Sequence, residues 1–254
     1  VETGTNLVFV PSSQPYKVSL LKPTSDGVFA ARDTAGGKVD LKILSRISVA
    51  TDFTMDCAHV YMPTYYGFYW GGDNCGVSFQ GGAYGGVKEV DVNSEPHRGL
   101  PQITATIVRV ANKNSYMTMQ GGELWVHAGT SDSQFPKTFD LLAGDLALLS
   151  TRQAFLPADA TAANPAVINI RGGRLLIPMF DKNTCYTTGV FADTDAMKVR
   201  VCDRQAVFKA VRHMANTGED RTIHVYRPIE SGLEEGKDGG LRLEGAPVFV
   251  FRDP

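Results

Sequence analysis

The sequence lacks the short motifs that carry most enzyme chemistry. It contains no GxSxG nucleophile elbow and no GxxxxGK[ST] phosphate loop, and its five histidines never form HxH or HExxH. Its acidic pairs are not followed by the glycine and distal glutamate of a calcium-binding EF-hand. We therefore expect a protein that is not an enzyme, carries no cofactor and has no metal site.

A charge excess and a long apolar run are missing as well. The chain has 25 Lys and Arg against 27 Asp and Glu, a net charge of −2, and its basic residues are scattered. This distribution gives no strong nucleic-acid signal, because backbone binding needs clustered cations. The longest apolar runs, such as 146–149 and 175–180, are far shorter than the roughly 20 residues that span a bilayer, so no membrane partner is expected.

The four cysteines show no sign of a paired framework. They have no CxxC spacing, and the chain contains no N-x-[ST] glycosylation site. Cys57 and Cys202 lie within strand-like runs, where a free cysteine behaves as a small buried hydrophobic residue. We expect both side chains to be buried.

What the sequence does contain is a repeated alternation of apolar and polar residues. Hydrophobic residues make up 43% of 254 residues, enough for one core, and we predict a single domain over 1–254. In 53–62, Phe53, Met55 and Cys57 fall on one side of an extended chain, and Thr54 and Val60 fall on the other. A period of two is typical of a strand in a half-buried sheet.

The same pattern predicts an all-β protein. Sixteen short strands are too many for one flat sheet, so we predict a jelly-roll or other β-sandwich with long crossover loops at 91–101 and 156–165. At most one or two short helices are expected, one of them at 203–216, although its central residues also fit a strand. No internal repeat is visible, which argues against a solenoid. The predicted strands are 7–10, 16–21, 27–31, 39–49, 53–62, 76–80, 102–110, 116–119, 123–127, 138–142, 146–151, 166–170, 174–180, 198–202, 222–226 and 248–251.

One cluster of aromatic residues is the best candidate for a binding site. Large rings with polar tips anchor protein interfaces and also stack on sugar rings, and glycines follow this cluster. The alternative is that the rings only close the end of the core. The predicted interface or ligand-binding residues are Tyr65, Tyr66, Phe68, Tyr69 and Trp70.

Two stretches resemble viral proteins. Residues 44–63, LSRISVATDFTMDCAHVYMP, carry an Ala-x-Asp-x-Thr-x-Asp run that leads into an aromatic residue and a proline. This stretch resembles an early strand pair in the jelly-roll capsid proteins of small icosahedral viruses, in particular the microvirus type. Residues 222–228, TIHVYRP, are similar to the closing strand of several viral jelly rolls. The resemblance implies a shell-forming subunit and transfers no catalytic residue.

The leading hypothesis is therefore a structural viral protein, a capsid or spike subunit that self-assembles symmetrically. Its expected partners are other copies of itself or sister capsid subunits, together with a host receptor or glycan. Its expected location is the virion, assembled in the host cell, or otherwise an extracellular surface. The alternative is a carbohydrate-binding lectin or adhesin that uses the aromatic loop, and a third reading is a hydrolase or cupin-type enzyme with a site around His59 or His127.

Overall fold

The structure is a computed structural model with side chains. It describes the following residues, to which every structural statement below refers: 7–9, 20–21, 27–43, 46–61, 67–84, 86–88, 102–104, 107–110, 114–128, 136–150, 159–179, 194–203, 205–212, 222–225, 229–233, 241–244 and 248–251.

The described residues form β-strands joined by turns and bends, and they contain no helix. The all-β prediction is confirmed. In chain order the strands are β1 (Leu7–Phe9), β2 (Leu20–Leu21), β3 (Gly27–Ala31), β4 (Leu41–Lys42), β5 (Arg46–Val49), β6 (Phe53–Asp56), β7 (His59–Tyr61), β8 (Gly67–Trp70), β9 (Gly76–Tyr84), β10 (Gly86–Lys88), β11 (Gln102–Thr104), β12 (Ile107–Val110), β13 (Tyr116–Ala128), β14 (Thr138–Ser150), β15 (Ala166–Ile170), β16 (Arg174–Met179), β17 (Met197–Val201), β18 (Ala206–Arg212), β19 (Thr222–Val225), β20 (Glu230–Ser231), β21 (Leu241–Glu244) and β22 (Val248–Phe251).

The strands pair in parallel. Among the described strands only β10 and β11 form an antiparallel pair. One ladder, which we call the first face, runs in the order β1, β3, β6, β9, β13, β14, β15, β17 and β20. Each strand lies directly on the one from the preceding turn of the chain, as with Met55 on Phe29 and Phe79 on Met55.

Two further ladders continue the same turns of chain. The second face is built from β4, β7, the C-terminal halves of β9, β13 and β14, and then β16, β18 and β21. The third face contains β2, β5, β8 and β12 near one end and β19 paired with β22 near the other. The chain is thus wound as a parallel β-solenoid with three faces.

The turns of this solenoid differ in length. Register partners on successive turns are separated by 22 residues between Leu7 and Phe29 but by 40 residues between Phe79 and Met119. The longest turn includes the β10–β11 hairpin. Because the number of residues per turn is not constant, stacked turns leave no period in the sequence, and the prediction against a solenoid is wrong for this reason.

The interior is filled by columns of apolar side chains, one from each turn. Phe79 lies between Met55 and Met119 in one column, and all three are fully buried. Phe79 also contacts rings from the other faces: its centroid is 5.5 Å from that of Phe68 and 4.8 Å from that of Tyr84, and both pairs are edge-on. Offset and edge-on ring pairs of this kind add stabilisation beyond the area they bury.

A stack of glycines forms the corner between the first and second faces. Gly82, Gly122, Gly144 and Gly173 have φ of +82°, +77°, +86° and +72°, in the left-handed region that favours glycine. Each lies against the backbone of the turn before it: a Cβ at Gly122 would collide with the carbonyl oxygen of Gly82, and one at Gly144 with that of Gly122. The corner lets β9, β13 and β14 bend from one face to the next.

The jelly-roll prediction is not confirmed. A jelly roll is built from antiparallel strands, whereas the described ladders are parallel. The first predicted crossover loop, 91–101, lies outside the described residues, and 159–165, in the second, lead from β14 into its parallel partner β15. The predicted helix at 203–216 is wrong: β18 occupies Ala206–Arg212, where it pairs with β16 and buries Phe208.

The strand predicted at 53–62 also differs from the structure. The single predicted strand is two, because the chain turns a corner at Cys57 and Ala58, between β6 and β7. The corner changes the phase, so Phe53 and Val60 both point into the core. The stretch that resembles capsid proteins supplies β5, β6 and β7, which lie on three different faces and do not pair with one another.

Replacement of Val60 by aspartate should lower the free energy of unfolding by about 3 kcal/mol or more, because it places an unpaired charge in the core. Val60 is 0% exposed. Chemical denaturation measures the effect, with Ser48→Asp, at a half-buried position of β5, as the control. A Val60→Asp protein as stable as the control would show that the second face does not cover a dry core.

Replacement of Gly122 by alanine should cost at least ~2 kcal/mol, because the added Cβ meets the turn below in a backbone conformation that disfavours a side chain. Gly121→Ala is a matched control, since its Cβ would have only the Gln80 carbonyl oxygen nearby, at 3.8 Å. Urea denaturation of both variants gives the comparison. Equal stability of the two would contradict the stacked corner.

Candidate functional site

The aromatic cluster predicted as a binding site is only partly on the surface. Phe68 and Trp70, in β8, are buried in the core, and the Trp70 indole Nε1 donates a hydrogen bond of 3.1 Å to the Cys75 carbonyl oxygen. Tyr69 is half-buried, with the Arg46 guanidinium 4.7 Å from its ring centroid. Tyr65 and Tyr66 lie outside the described residues. The structure therefore brings Phe68 and Trp70 together inside the protein, where they support the third face.

The outer side of the first face presents a different set of polar groups. Successive residues of a strand point to opposite sides, so the positions between the buried ones point outward. Thr54, Ser78 and Thr118 occupy one such position on the adjacent strands β6, β9 and β13, and all three are half-buried. We call these three residues the hydroxyl row. Neighbouring strands lie about 4.8 Å apart, so the row spans roughly 10 Å.

An aromatic ring lies beside the hydroxyl row. Tyr116 is the preceding outward residue of β13. It is half-buried, and its register partner on β9 is Gly76. The Tyr116 ring occupies the space that a Cβ on Gly76 would need. The ring thus leans over the neighbouring strand, and the glycine makes this placement possible.

Two amide side chains border the row on its other side. Gln80 and Gln120 are the next outward residues of β9 and β13, immediately before the glycine corner, and both are exposed. We refer to Tyr116, the hydroxyl row, Gln80 and Gln120 together as the outer strip. Its own groups are a phenol, three hydroxyls and two amides, and all of them are uncharged at neutral pH.

The carboxylates next to the outer strip already have partners. The Asp52 carboxylate accepts a hydrogen bond of 2.8 Å from the Gly76 backbone N–H. Asp56 forms ion pairs with Arg32 and with Lys38, whose Nζ lies 2.5 Å from Asp56 Oδ1. Burial of the Asp56 carboxylate opposes its ionisation, but the hydrogen bonds and charges of Lys38 and Arg32 outweigh burial and hold its pKa below the ordinary value.

Further along the same face the outward groups become charged and pair with one another. Asp140 Oδ1 accepts hydrogen bonds from Asn169 Nδ2 at 3.0 Å and from Arg171 Nε at 3.3 Å. On the last two strands, Glu230 accepts hydrogen bonds from Lys198 at 2.5 Å and from Arg200 at 3.0 Å. These two bases hold the pKa of Glu230 below its usual range, the hydrogen bond from Lys198 having the larger effect.

The second face carries the most enclosed carboxylate on the outer surface. The two oxygens of Asp145 accept hydrogen bonds from Arg174 Nε and Nη2 at 2.6 and 2.5 Å. This two-point hydrogen bond to Asp145 raises the pKa of Arg174. Glu123, on the strand before, accepts a hydrogen bond of 3.2 Å from the Trp125 indole N–H. Because both oxygens of Asp145 accept hydrogen bonds from Arg174, we interpret Asp145 as one half of a structural ion pair rather than as a free acid.

The described cysteines are buried and form no disulfide. Cys57, Cys75 and Cys202 form no disulfide, which confirms the expectation for Cys57 and Cys202, and Cys185 lies outside the described residues. Burial raises the pKa of the Cys57 thiol to about 11, and its backbone N–H donates to the Tyr84 hydroxyl at 3.2 Å. A thiol of this kind is neutral at physiological pH and is not a nucleophile.

Other kinds of site find little support among the described residues. His59 is half-exposed at the start of β7, and the His127 side chain lies outside what the structure describes. Within the described ranges no three His, Cys, Asp or Glu side chains are grouped closely enough to hold a metal ion. The same part of the chain contains no helix that could cross a membrane.

Comparisons with known proteins add no relative. The chain matches no protein family model, no curated protein and no solved structure. The geometry of the outer faces is therefore the basis for any functional statement.

Sequence reasoning missed the outer strip for an identifiable reason. The alternation predicts Thr54 on the side of its strand opposite Phe53 and Met55, but nothing in the sequence aligns it with Ser78 and Thr118. The lateral register of β6, β9 and β13 creates the row, and the Tyr116 placement needs Gly76 directly opposite. A glycine opposite an aromatic residue is a signal only once the pairing of strands is known.

Replacement of Asp56 by asparagine should lower the free energy of unfolding by about 1–2 kcal/mol at pH 7, because it removes the charge that binds Arg32 and Lys38. A carboxylate with a lowered folded-state pKa stabilises the protein above its unfolded pKa, and this is lost as pH falls through the folded value. The difference from wild type should therefore shrink below about pH 4. Denaturant titrations between pH 3 and 7 measure it.

The exposed Asp40 provides the control, since Asp40→Asn leaves this ion-pair network unchanged. A stability difference for Asp56→Asn that stayed constant across the whole pH series would contradict the assigned role of the carboxylate.

Proposed function

We propose that this chain is a structural subunit of a virion spike that associates with copies of itself or with sister subunits and catalyses no reaction. The observation that carries the proposal is the continuous ladder of parallel strands from β1 to β20. With nine stacked strands about 4.8 Å apart, the ladder spans roughly 40 Å. Between the two roles expected from the sequence, such a rod suits a projecting spike better than a plate in a closed shell.

The rod gains its rigidity from two features of the described residues. Its backbone hydrogen bonds join each strand to the next turn, so they run along the long axis and resist bending of the stack. Its interior columns interlock apolar side chains from every turn, such as Phe139 between Met117 and Ile168. A protein that holds a receptor-contacting tip away from a particle needs stiffness of this kind.

The ends of the rod support association between copies. Among the described strands, β1 and β20 are the outer members of the first ladder, and an open strand edge is a template for pairing with another chain. On the second face, Leu243 stands over the fully buried Phe208 and is 47% exposed. A second copy stacked on this end would remove Leu243 from water. The viral part of the proposal rests on the sequence resemblance of 44–63 and 222–228 alone, since 44–63 do not form the strand pair that the resemblance implies.

The test is the shape and oligomeric state of the purified chain. We expect elongated particles in negative-stain electron microscopy and concentration-dependent oligomers by light scattering after size exclusion. Leu243→Arg should raise the dissociation constant at least tenfold, since losing a buried apolar contact and burying a charge exceed about 1.4 kcal/mol.

Leu142→Arg is the matched control. Leu142 is 41% exposed at the side of the rod, away from both ends. Its substitution should leave association unchanged. A chain that stays monomeric at every concentration, or a Leu142→Arg protein that dissociates as Leu243→Arg does, would contradict the proposal.

A further inference from the structure

The outer strip has the composition of a carbohydrate-binding surface. Sugar rings bind proteins through two kinds of contact: their apolar C–H faces stack on aromatic rings, and their hydroxyls exchange hydrogen bonds with hydroxyl and amide groups. Tyr116 supplies the ring, and Ser78, Thr118, Gln80 and Gln120 supply the polar groups on the same two strands. We infer that this strip binds a neutral, extended polysaccharide.

The placement of Tyr116 distinguishes the outer strip from an ordinary polar face of a sheet. A tyrosine pointing straight out of a sheet presents an edge and is free to rotate. Here the ring leans over Gly76, where it fills the place of the missing side chain, and Tyr116 as a whole is half-buried. A partly exposed aromatic ring held in place against the neighbouring strand is one on which a sugar ring can stack.

The spacing of the hydroxyl row favours a chain of sugars over a single one. Thr54, Ser78 and Thr118 repeat at the distance between adjacent strands, about 4.8 Å. This repeat is comparable to the advance per residue of an extended sugar polymer. Successive units of such a polymer, lying along the solenoid axis, would therefore meet equivalent hydroxyls on successive turns.

The uncharged groups of the outer strip favour a neutral polymer over a charged one. The bordering carboxylates are satisfied by protein donors: Asp52 by the Gly76 N–H, Asp56 by Arg32 and Lys38. Asp140, at the end of the row, pairs with Arg171. Because the acids and bases of this region are matched, the surface offers an anionic polymer no unpaired cation among its described residues. The strip offers hydrogen bonds and stacking alone.

The test is affinity electrophoresis of the full chain in gels that contain hydroxyethyl cellulose, glucomannan or laminarin as neutral polymers, with polygalacturonate as the anionic one. We expect retardation by at least one neutral polymer and none by polygalacturonate. Tyr116→Ala should weaken binding at least tenfold, whereas Tyr116→Phe, which keeps the ring, should stay within about threefold of wild type. Thr118→Val keeps the shape of the side chain, removes the hydroxyl and should weaken binding several-fold.

The matched control is Tyr69→Ala, which removes a half-buried tyrosine from the third face and should leave binding unchanged. Circular dichroism checks that each variant is folded, and Thr118→Val keeps the test decisive if Tyr116→Ala fails to fold. Retardation by none of the neutral polymers, by polygalacturonate alone, or equally for Tyr69→Ala and Tyr116→Ala would overturn the inference. Oligomeric state is measured separately, so a failure here leaves the spike proposal standing.

Discussion

From β9 to β16, the stacking of one turn directly on the next depends on a corner where no side-chain carbon projects toward the preceding turn. Gly82, Gly122, Gly144 and Gly173 provide it, each with its Cα against the backbone of the previous turn. A Cβ at any of them would collide with backbone atoms of the previous turn, and their φ values are ones that other residues adopt at a cost. Between β9 and β16, the parallel ladder, the apolar columns and the alignment of outward residues all depend on this close approach.

Stacking also explains how a solenoid can form binding surfaces from residues that are far apart in the sequence. In a solenoid each turn contributes one residue to every outward column, so chemically similar residues far apart in the sequence become neighbours. Thr54, Ser78 and Thr118 form such a column, and Asp140 and Asn169 continue it. The ladder both stiffens the rod and spaces its surface groups at equal intervals. The proposed spike role uses the first property, and the proposed polysaccharide site uses the second.

The sequence predicted the strands better than it predicted their arrangement. Alternation located most of them, for example β15 and β17, because the side chains of a half-buried strand follow a period of two whatever the strand pairs with. The pairing was missed because register partners are separated by 22 to 40 residues, so no fixed period marks the turns. The double glycines at 81–82, 121–122 and 172–173 read as loops between strands, whereas they bend continuous strands or link consecutive ones at a corner.

The aromatic cluster shows that the sequence alone was also insufficient to locate a functional site. Phe68 and Trp70 belong to a strand whose inward positions are set by its stacking on β5, so their size suits the core. Tyr116 has no distinguishing neighbour in the sequence and becomes a candidate only because Gly76 lies beside it on the adjacent turn. The local sequence pattern predicts which residues form strands. Which side chains share a surface depends on the register between neighbouring strands.

The parallel stack itself can be tested most directly by distances between spin labels on one outward column. With one label at Thr54 and the second at Asn169, Arg200 or Glu230, the backbone positions are four, five and six strand spacings apart, or roughly 19, 24 and 29 Å. The account predicts that the measured distance increases in this order by about one strand spacing per turn. Distances that fail to increase along the series, as in a sandwich where distant segments fold back on one another, would contradict it.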